Sequence, residues 1–302
     1  MNAAEPRTSP QPTADRAAAE EESVFGHPPV PPHATAAYGD HPDQVVDFYR
    51  PRCGSGPAPL VGLLHGGAWR AAYDRVHVSP LAAHLADVHG FAVASIEYRR
   101  GGATQGPQEA AQAPAGRWPD TFDDVAAVVD ALPELALRAL GADTVDPRRT
   151  VLTGHSAGGH LALWAAARHV LPPDSPWHRS SPPPLRGVVA LAPIADLTSA
   201  IRLRVCSDAV LGLLGGRDHL AARLPHADPA ALVPTGIATT IVHGTTDNVV
   251  PAQVSAGFAR TAAGAGEEAT VAWLADVGHF ALIDPLTESS ATVADEIAQL
   301  AW

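Results

Sequence analysis

Apolar residues in this chain are concentrated in short continuous runs that are separated by longer amphipathic stretches. A run that is apolar throughout is typical of a strand covered on both faces, as in a parallel sheet. Such runs predict strands over Val45 to Tyr49, Leu60 to Leu64, Phe91 to Tyr98, Val151 to Thr153, Gly187 to Leu191, Thr239 to His243 and Ala269 to Leu274.

The stretches between the runs carry apolar residues at every third or fourth position, which is the spacing of an amphipathic helix. One of them places Phe122, Val125 and Leu132 on a single face and begins at Pro119, a residue suited to a first turn. Strands that alternate with helices predict an α/β fold with a mostly parallel central sheet flanked by helices. Ligands of such sheets bind at the carboxyl ends of the strands. Further helices are predicted over Leu161 to Ala167, Gln253 to Ala263 and Thr287 to Leu300.

The length of 302 residues, 46% of them hydrophobic, fits one large α/β domain, although length alone would also allow two smaller ones. We expect this domain to cover residues 35–302. Residues 1–34 predict a disordered tail, because the Ala-, Pro- and Glu-rich stretch buries too little apolar surface to offset the entropy of ordering. The mixed segment at residues 196–234 predicts short helices that form a small cap.

Charge and composition exclude several classes of protein. The formal net charge of −12 argues against a nucleic-acid partner, which would need a basic face. Apolar stretches are too short for a membrane span or a secretory signal, so we expect no membrane association. The chain has two cysteines, Cys53 and Cys206, far apart in sequence. We expect them to be free thiols in a reducing compartment, and hence a cytoplasmic protein. Metal-ligand spacings and phosphate-binding loops are missing, so we expect no metal and no other cofactor.

The sequence Gly154-His155-Ser156-Ala157-Gly158 has the form G-x-S-x-G, and it follows a predicted strand and opens a predicted helix. That context predicts a nucleophile elbow, in which a tight turn exposes the serine hydroxyl. The amide of Ala157 would lie at the helix N-terminus, where unpaired N–H groups favour a developing negative charge. A Gly-rich turn with a capping serine is the structural alternative.

A loop with two adjacent glycines, His65-Gly66-Gly67-Ala68-Trp69, directly follows the strand that begins at Leu60. Glycines let the backbone turn its amides towards a substrate carbonyl, so this loop predicts the second half of an oxyanion hole. His65 is expected to bond the loop backbone, and Trp69 to be a packing residue or part of a pocket wall.

The acid and the base that such a serine needs should follow it along the chain, with the acid first. Asp247 lies in the loop after the strand that ends at His243, and His279 follows the last predicted strand. Asp247 would accept a hydrogen bond from His279 and fix its tautomer. Asp276 and Asp284, on either side of the histidine, are the alternatives for the acid.

These motifs resemble those of α/β-hydrolase fold serine esterases and arylformamidases, the kynurenine formamidase-like enzymes. The resemblance runs from about Tyr38 to the C-terminus, and the loop from Arg100 to Arg117 departs from it. It rests on the H-G-G-A-W loop, the serine elbow, His243-Gly244 with Asp247, Gly278-His279-Phe280, Glu97-Tyr98-Arg99 and Trp118-Pro119.

The resemblance implies a Ser156, Asp247 and His279 triad. It also implies that the amides of Gly66, Gly67 and Ala157 form the oxyanion hole. Trp69, His155 and Phe280 are the candidates for the substrate pocket, together with the loops at Arg100 to Arg117 and Leu197 to Pro234.

The activity that the resemblance implies is hydrolysis of a small carboxylic ester or aryl formamide through an acyl-enzyme, with no cofactor. A more specific alternative is kynurenine formamidase, which converts N-formylkynurenine to kynurenine and formate. A non-catalytic ligand-binding protein on the same fold is a competing class, although no triad member is missing. Acyl transfer shares the acyl-enzyme and stays open. The expected partner is a small molecule, and a homodimer is one option for the assembly.

Overall fold

The computed structural model describes residues 13–54, 56–101 and 115–302. Its centre is an eight-stranded sheet in the order β1-β2-β4-β3-β5-β6-β7-β8. The strands are β1 (Ala34–Ala37), β2 (Val45–Tyr49), β3 (Ala58–Leu64), β4 (Ala92–Ile96), β5 (Val145–His155), β6 (Gly187–Leu191), β7 (Thr239–Gly244) and β8 (Ala269–Leu274).

The direction of the strands matches the expected mostly parallel sheet. Only β2 runs against its neighbours β1 and β4, and every pair from β4 across to β8 is parallel. The central strands are buried along their whole length, as their continuous apolar runs predicted. The β1 strand was not predicted, because its alternating Ala-Thr-Ala-Ala pattern is too short to stand out.

Helices cover both faces of this sheet. They are α1 (Thr13–Gly26), α2 (Ser79–Asp87), α3 (Asp120–Leu140), α4 (Ala157–Ala166), α5 (Leu197–Arg202), α6 (Val205–Leu213), α7 (Leu220–Ala227), α8 (Gln253–Gly264) and α9 (Glu288–Ala301). The apolar stripes of α3, α4 and α8 pack into one core cluster, and those of α2 and α9 into the cluster on the other face. None of the helices in the described residues has the length and apolar character that crossing a membrane requires.

The segment between β6 and β7 contains the short helices that were expected there. They are α5, α6 and α7, together with single 3₁₀ turns at Arg217–His219 and Pro229–Ala231. Asp228 ties this segment together, because its carboxylate accepts hydrogen bonds from the amides of Leu197 at 3.0 Å and of Ala230 at 3.1 Å.

The N-terminal prediction was wrong for the part of the tail that the structure describes. Residues Thr13–Gly26 form the helix α1, and Val24 is buried in the core cluster that also contains residues of α2 and α9. Alanine and glutamate are strong helix formers, so the composition that suggested disorder also favours a helix once a few contacts hold it. Residues 1–12 lie outside the described residues.

Candidate active site

Ser156 lies on a tight turn between the end of β5 and the start of α4. Its φ of 56° and ψ of −113° are rare for a residue with a side chain, and such strain costs on the order of 1–3 kcal/mol. The turn is held by the Ser156 amide, which donates to the carbonyl of Leu191 at 2.8 Å. A Cβ on Gly154 would lie 2.4 Å from the carbonyl oxygen of Gly158, and one on Gly158 would lie 2.1 Å from that of Leu64. Backbone atoms therefore leave room only for glycine at both ends of the elbow.

His279 and Asp247 meet at the carboxyl ends of β8 and β7. His279 Nδ1 lies 2.6 Å from Asp247 Oδ2, and both side chains are almost fully buried. The other carboxylate oxygen, Oδ1, accepts the backbone N–H groups of Val249 and Val250, both at 2.8 Å. Because Nδ1 faces the carboxylate, Nε2 is the histidine nitrogen that is available for Ser156.

His243 adds a second histidine contact to the Asp247 carboxylate. Its Nε2 lies 2.9 Å from the Val250 carbonyl and 3.3 Å from Asp247 Oδ2, and its Nδ1 lies 2.7 Å from Ser255 Oγ. A carbonyl only accepts, so Nε2 carries the proton. Burial would raise the pKa of Asp247, but attraction to His279 and hydrogen bonds from both histidines hold that pKa well below its usual range. Asp247 is therefore ionised and can stabilise an imidazolium at His279.

Ser156 and His279 both line one cavity, which has a volume of about 240 Å³. Among the described residues no hydrogen bond joins Ser156 Oγ to His279, and such bonds often tighten only when substrate is bound. His155 supports the histidine from behind, with its Nε2 donating to the His279 carbonyl at 3.0 Å and the ring centroids 4.4 Å apart. Burial and the neighbouring His279 hold the pKa of His155 well below its usual range, so this ring stays neutral.

The loop after β3 lies directly against the elbow. A Cβ on Gly66 would lie 3.4 Å from Ser156 Cβ, and Gly67, with a φ of +100°, lines the same cavity as the serine. The Ala157 amide is the first N–H of α4, so it has no acceptor within the helix and lies at the positive end of the helix dipole. The candidate oxyanion donors Gly66, Gly67 and Ala157 are thus gathered beside the candidate nucleophile.

A buried ionic network lies beneath this loop, and its centre is Glu97, for which the sequence predicted no functional role. Glu97 Oε1 accepts from His65 Nε2 at 2.8 Å and from Arg100 Nη1 at 2.7 Å, and Oε2 accepts the Arg75 amide at 3.0 Å. His65 Nδ1 in turn lies 2.8 Å from the Gly66 carbonyl. Glu97 therefore orients the histidine that contacts the candidate oxyanion loop. A charged residue directly after a strand that is buried at every position is the signal that could have pointed to it.

The cavity wall matches the predicted pocket residues in part. His155 and Phe280 line the cavity, but Trp69 does not. The Trp69 side chain is fully buried, with its ring packed edge-on against His160 at 5.2 Å between centroids. The pocket assignment of Trp69 was wrong, because positive φ values at Ala68 (51°) and Trp69 (56°) direct the indole into the core.

The helix α1 forms part of the candidate site, which the sequence did not predict. Glu20 Oε1 accepts the Gly278 amide at 2.9 Å, immediately before His279. On the other side of that histidine, Asp284 accepts from Ser23 Oγ at 2.5 Å and pairs with His27 Nε2 at 2.9 Å. Phe25 and Glu21 of the same helix line the cavity.

The alternative acids lie away from the histidine ring. The Asp276 side chain is 83% exposed and is paired only loosely with Arg16, at 3.7 Å. The Asp284 carboxylate accepts a hydrogen bond from Ser23 of α1. Of the two loops expected to line the pocket, the one after β6 contributes Cys206 and Ser207. Most of the other, residues 102–114, lies outside the described residues.

The comparisons with known proteins point to esterases. Residues 46–261 match the protein family described as BD-FAE. A probable isoprenylcysteine alpha-carbonyl methylesterase of Oryza sativa is 28% identical over 241 residues, covering 77% of this chain and 54% of that protein. The probable carboxylic ester hydrolase LipM of Mycobacterium tuberculosis is 27% identical over 215 residues, covering 68% and 44%. The chain spans about half the length of the curated relatives it matches.

Solved structures show the same fold at lower identity. A truncated carbohydrate esterase from gut microbiota aligns with a TM-score of 0.69 and 21% identity, covering 89% of this chain and 96% of that one. Esterase B from Lactobacillus rhamnosis aligns with a TM-score of 0.70 and 19% identity, covering 95% and 91%. The fold expected from the sequence, that of the α/β-hydrolases, is therefore confirmed.

Proposed function

Because this chain belongs to the BD-FAE family, an esterase family of the α/β-hydrolase fold, we propose that it hydrolyses small carboxylic esters through an acyl-enzyme on Ser156. One observation carries the proposal. His279, held by Asp247 at 2.6 Å, and the strained Ser156 line the same small cavity at the carboxyl ends of parallel strands. Nucleophile, base and orienting acid are the three roles that acyl transfer needs.

In the first half of the reaction, Ser156 Oγ attacks the ester carbonyl carbon while His279 Nε2 takes the hydroxyl proton. The ionised Asp247 stabilises the imidazolium that forms. Negative charge that develops on the carbonyl oxygen is met by the amides beside the serine, and each such donor contributes about 10²–10³ in turnover. When the tetrahedral intermediate collapses, His279 gives its proton to the alcohol that leaves.

In the second half, water attacks the acyl carbon while His279 Nε2 takes its proton; the bond from the acyl carbon to Ser156 Oγ then breaks, His279 returns the proton to Oγ, and the carboxylic acid leaves. The strain at the elbow supports this cycle, because it presents Oγ to the cavity and not to the helix. The cavity volume of about 240 Å³ favours small substrates, since pockets for drug-sized ligands span about 300–1,000 Å³.

The test is turnover of p-nitrophenyl acetate and butyrate by the wild type and by Ser156→Ala, with Ser181→Ala as a surface control. We expect Ser156→Ala to lose at least about 10³-fold in kcat while it keeps its fold and thermal midpoint. A fluorophosphonate should label Ser156 and spare Ser207, the other serine of the cavity lining. Full turnover by folded Ser156→Ala, or a label on Ser207, would contradict the proposal.

Aryl formamide cleavage is the second candidate, because the formyl group is the smallest acyl group and suits the small cavity. Initial rates with N-formylkynurenine and with p-nitrophenyl acetate separate the two. A kcat/KM that favours the formamide by orders of magnitude would make the chain a kynurenine formamidase-like enzyme. Stoichiometric binding of either compound without turnover would instead support the non-catalytic class.

A further inference from the structure

Arg70 lines the candidate active-site cavity, and within the described part of the chain it has no carboxylate to pair with. Arg70 is half-buried, and its Nη2 donates to the carbonyl of Cys206 at 2.7 Å. Its Nε is fully buried and has no hydrogen-bond partner among the described residues. Glu21, the acid that lines the same cavity, forms no ion pair with it. A guanidinium carries five N–H donors, so most of its binding capacity is unused.

The other arginines around the site behave differently. Arg75 reaches Asp47 at 2.6 Å, and Arg100 reaches Glu97 at 2.7 Å, so each has a buried carboxylate. A half-buried charge is costly unless it is paired. Arg70 therefore has the environment of a group whose counter-charge arrives with a ligand.

The position of Arg70 ties it to the reacting atoms. It closes the turn that begins at the candidate oxyanion donor Gly67, with its amide 3.0 Å from the Gly67 carbonyl. Ser156, His279 and Arg70 border a single cavity of about 240 Å³. One small molecule can therefore place its ester at the serine and a second group at the guanidinium.

We propose that Arg70 binds a carboxylate group of the substrate, so that the esters cleaved at Ser156 are those of small carboxylate-bearing molecules. This inference rests on the proposed esterase function and deepens it. The guanidinium fork matches a carboxylate in shape and charge. A single negative charge fits best, because burial and the nearby His65 lower the pKa of His77, the neighbouring histidine of the lining, to about 3, and it adds no positive charge.

The test compares esters with their neutral isosteres, in which a carboxamide replaces the carboxylate. For the acyl side the pair is monomethyl succinate and methyl succinamate, and for the alcohol side it is 4-carboxyphenyl acetate and 4-carbamoylphenyl acetate. The readout is the ratio of kcat/KM for the charged and the neutral member of each pair. This ratio is independent of the fraction of active enzyme, so a partly misfolded variant still gives an answer.

We expect the wild type to favour the carboxylate in at least one pair by about tenfold or more, mainly through KM, which is the effect of one charge-assisted hydrogen bond. Arg70→Met should abolish the preference and Arg70→Lys should restore part of it. Arg204→Met, which removes an exposed arginine outside the cavity lining, should keep it.

Two results overturn the assignment of Arg70. In the first, the wild type prefers the carboxylate in neither pair. In the second, the preference survives in Arg70→Met, which would mean that another residue binds the carboxylate. If p-nitrophenyl acetate is hydrolysed in these cases, only the role of Arg70 fails. If no ester is hydrolysed by the wild type, the esterase proposal itself fails with it.

Discussion

Replacement of Glu97 by glutamine tests how the candidate oxyanion loop is held in place. The Glu97 carboxylate is buried and accepts hydrogen bonds from His65, Arg75 and Arg100, together with the Tyr98 amide at 3.1 Å. Glutamine has nearly the same shape, but it loses the charge and turns an NH₂ group towards donors. Glu97→Gln therefore leaves buried cations without their counter-charge. Removing one partner of a buried ion pair in this way is strongly destabilising, because the remaining charge stays buried and unpaired.

The size of the effect follows from the pKa of Glu97. Burial would raise this pKa, but attraction to and hydrogen bonding with His65, followed by Arg100, lower it from 4.5 to about 2. A difference of about 2.5 between the two values corresponds to about 3 kcal/mol, at about 1.4 kcal/mol for each pKa unit. Because the folded-state pKa is the lower one, this contribution is complete above about pH 5 and is lost as the pH falls from about 4.5 towards 2.

Urea unfolding followed by circular dichroism measures the effect. At pH 7 we expect Glu97→Gln to lower the free energy of unfolding by about 3 kcal/mol, and we expect the gap to the wild type to narrow below about pH 4.5. Glu134→Gln removes only an exposed pair with Arg138 and should change stability by less than about 0.5 kcal/mol. An unfolding midpoint for Glu97→Gln equal to that of the wild type at pH 7 would refute the reasoning.

Three further substitutions test the remaining parts of the site. Asp247→Asn should leave the fold intact and lower kcat by roughly 10⁴-fold in an ester assay, because the amide favours the wrong histidine tautomer; unchanged kcat would exclude Asp247 as the orienting acid. Gly158→Ala should cost at least about 2 kcal/mol in thermal or urea unfolding because its Cβ meets backbone oxygens, whereas Gly264→Ala has open space and should be neutral or slightly stabilising. Glu20→Ala should lower kcat about tenfold or more by loosening the loop before the candidate catalytic histidine, with Glu22→Ala as the exposed control; equal rates in the two variants would show that the Glu20 contact with Gly278 does not support catalysis.

The fold could be predicted from the sequence because its elements are set by local patterns. Strands buried on both faces, such as β3 over Ala58–Leu64, must be apolar at every position, and that pattern is visible without knowledge of neighbours. The order of segments then placed Ser156, Asp247 and His279 at strand ends on one edge of the sheet. Those placements required only that parallel strands end at the same side.

The path of side chains within loops could not be predicted in the same way. Trp69 lies in the loop after β3, and the sequence left open whether its side chain packs in the core or lines the pocket. Its actual direction depends on positive φ values at Ala68 and Trp69 and on the edge-on packing with His160, which comes from a helix more than eighty residues later in the chain. The role of Glu97 could not be predicted for the same reason, since its hydrogen-bond partners come from three separate segments of the chain.

The helix α1 illustrates the largest gap between local pattern and tertiary structure. A short Ala- and Glu-rich helix is marginal in water by itself, so composition alone could not decide between helix and disorder. What holds it are Glu20 and Ser23, which bond to residues more than 250 positions away on either side of His279. Because those anchors lie on either side of the candidate catalytic histidine, we expect the ordering of α1 and the positioning of His279 to be coupled. The candidate site is therefore completed by α1, the segment for which the sequence pattern was the weakest indication of regular structure.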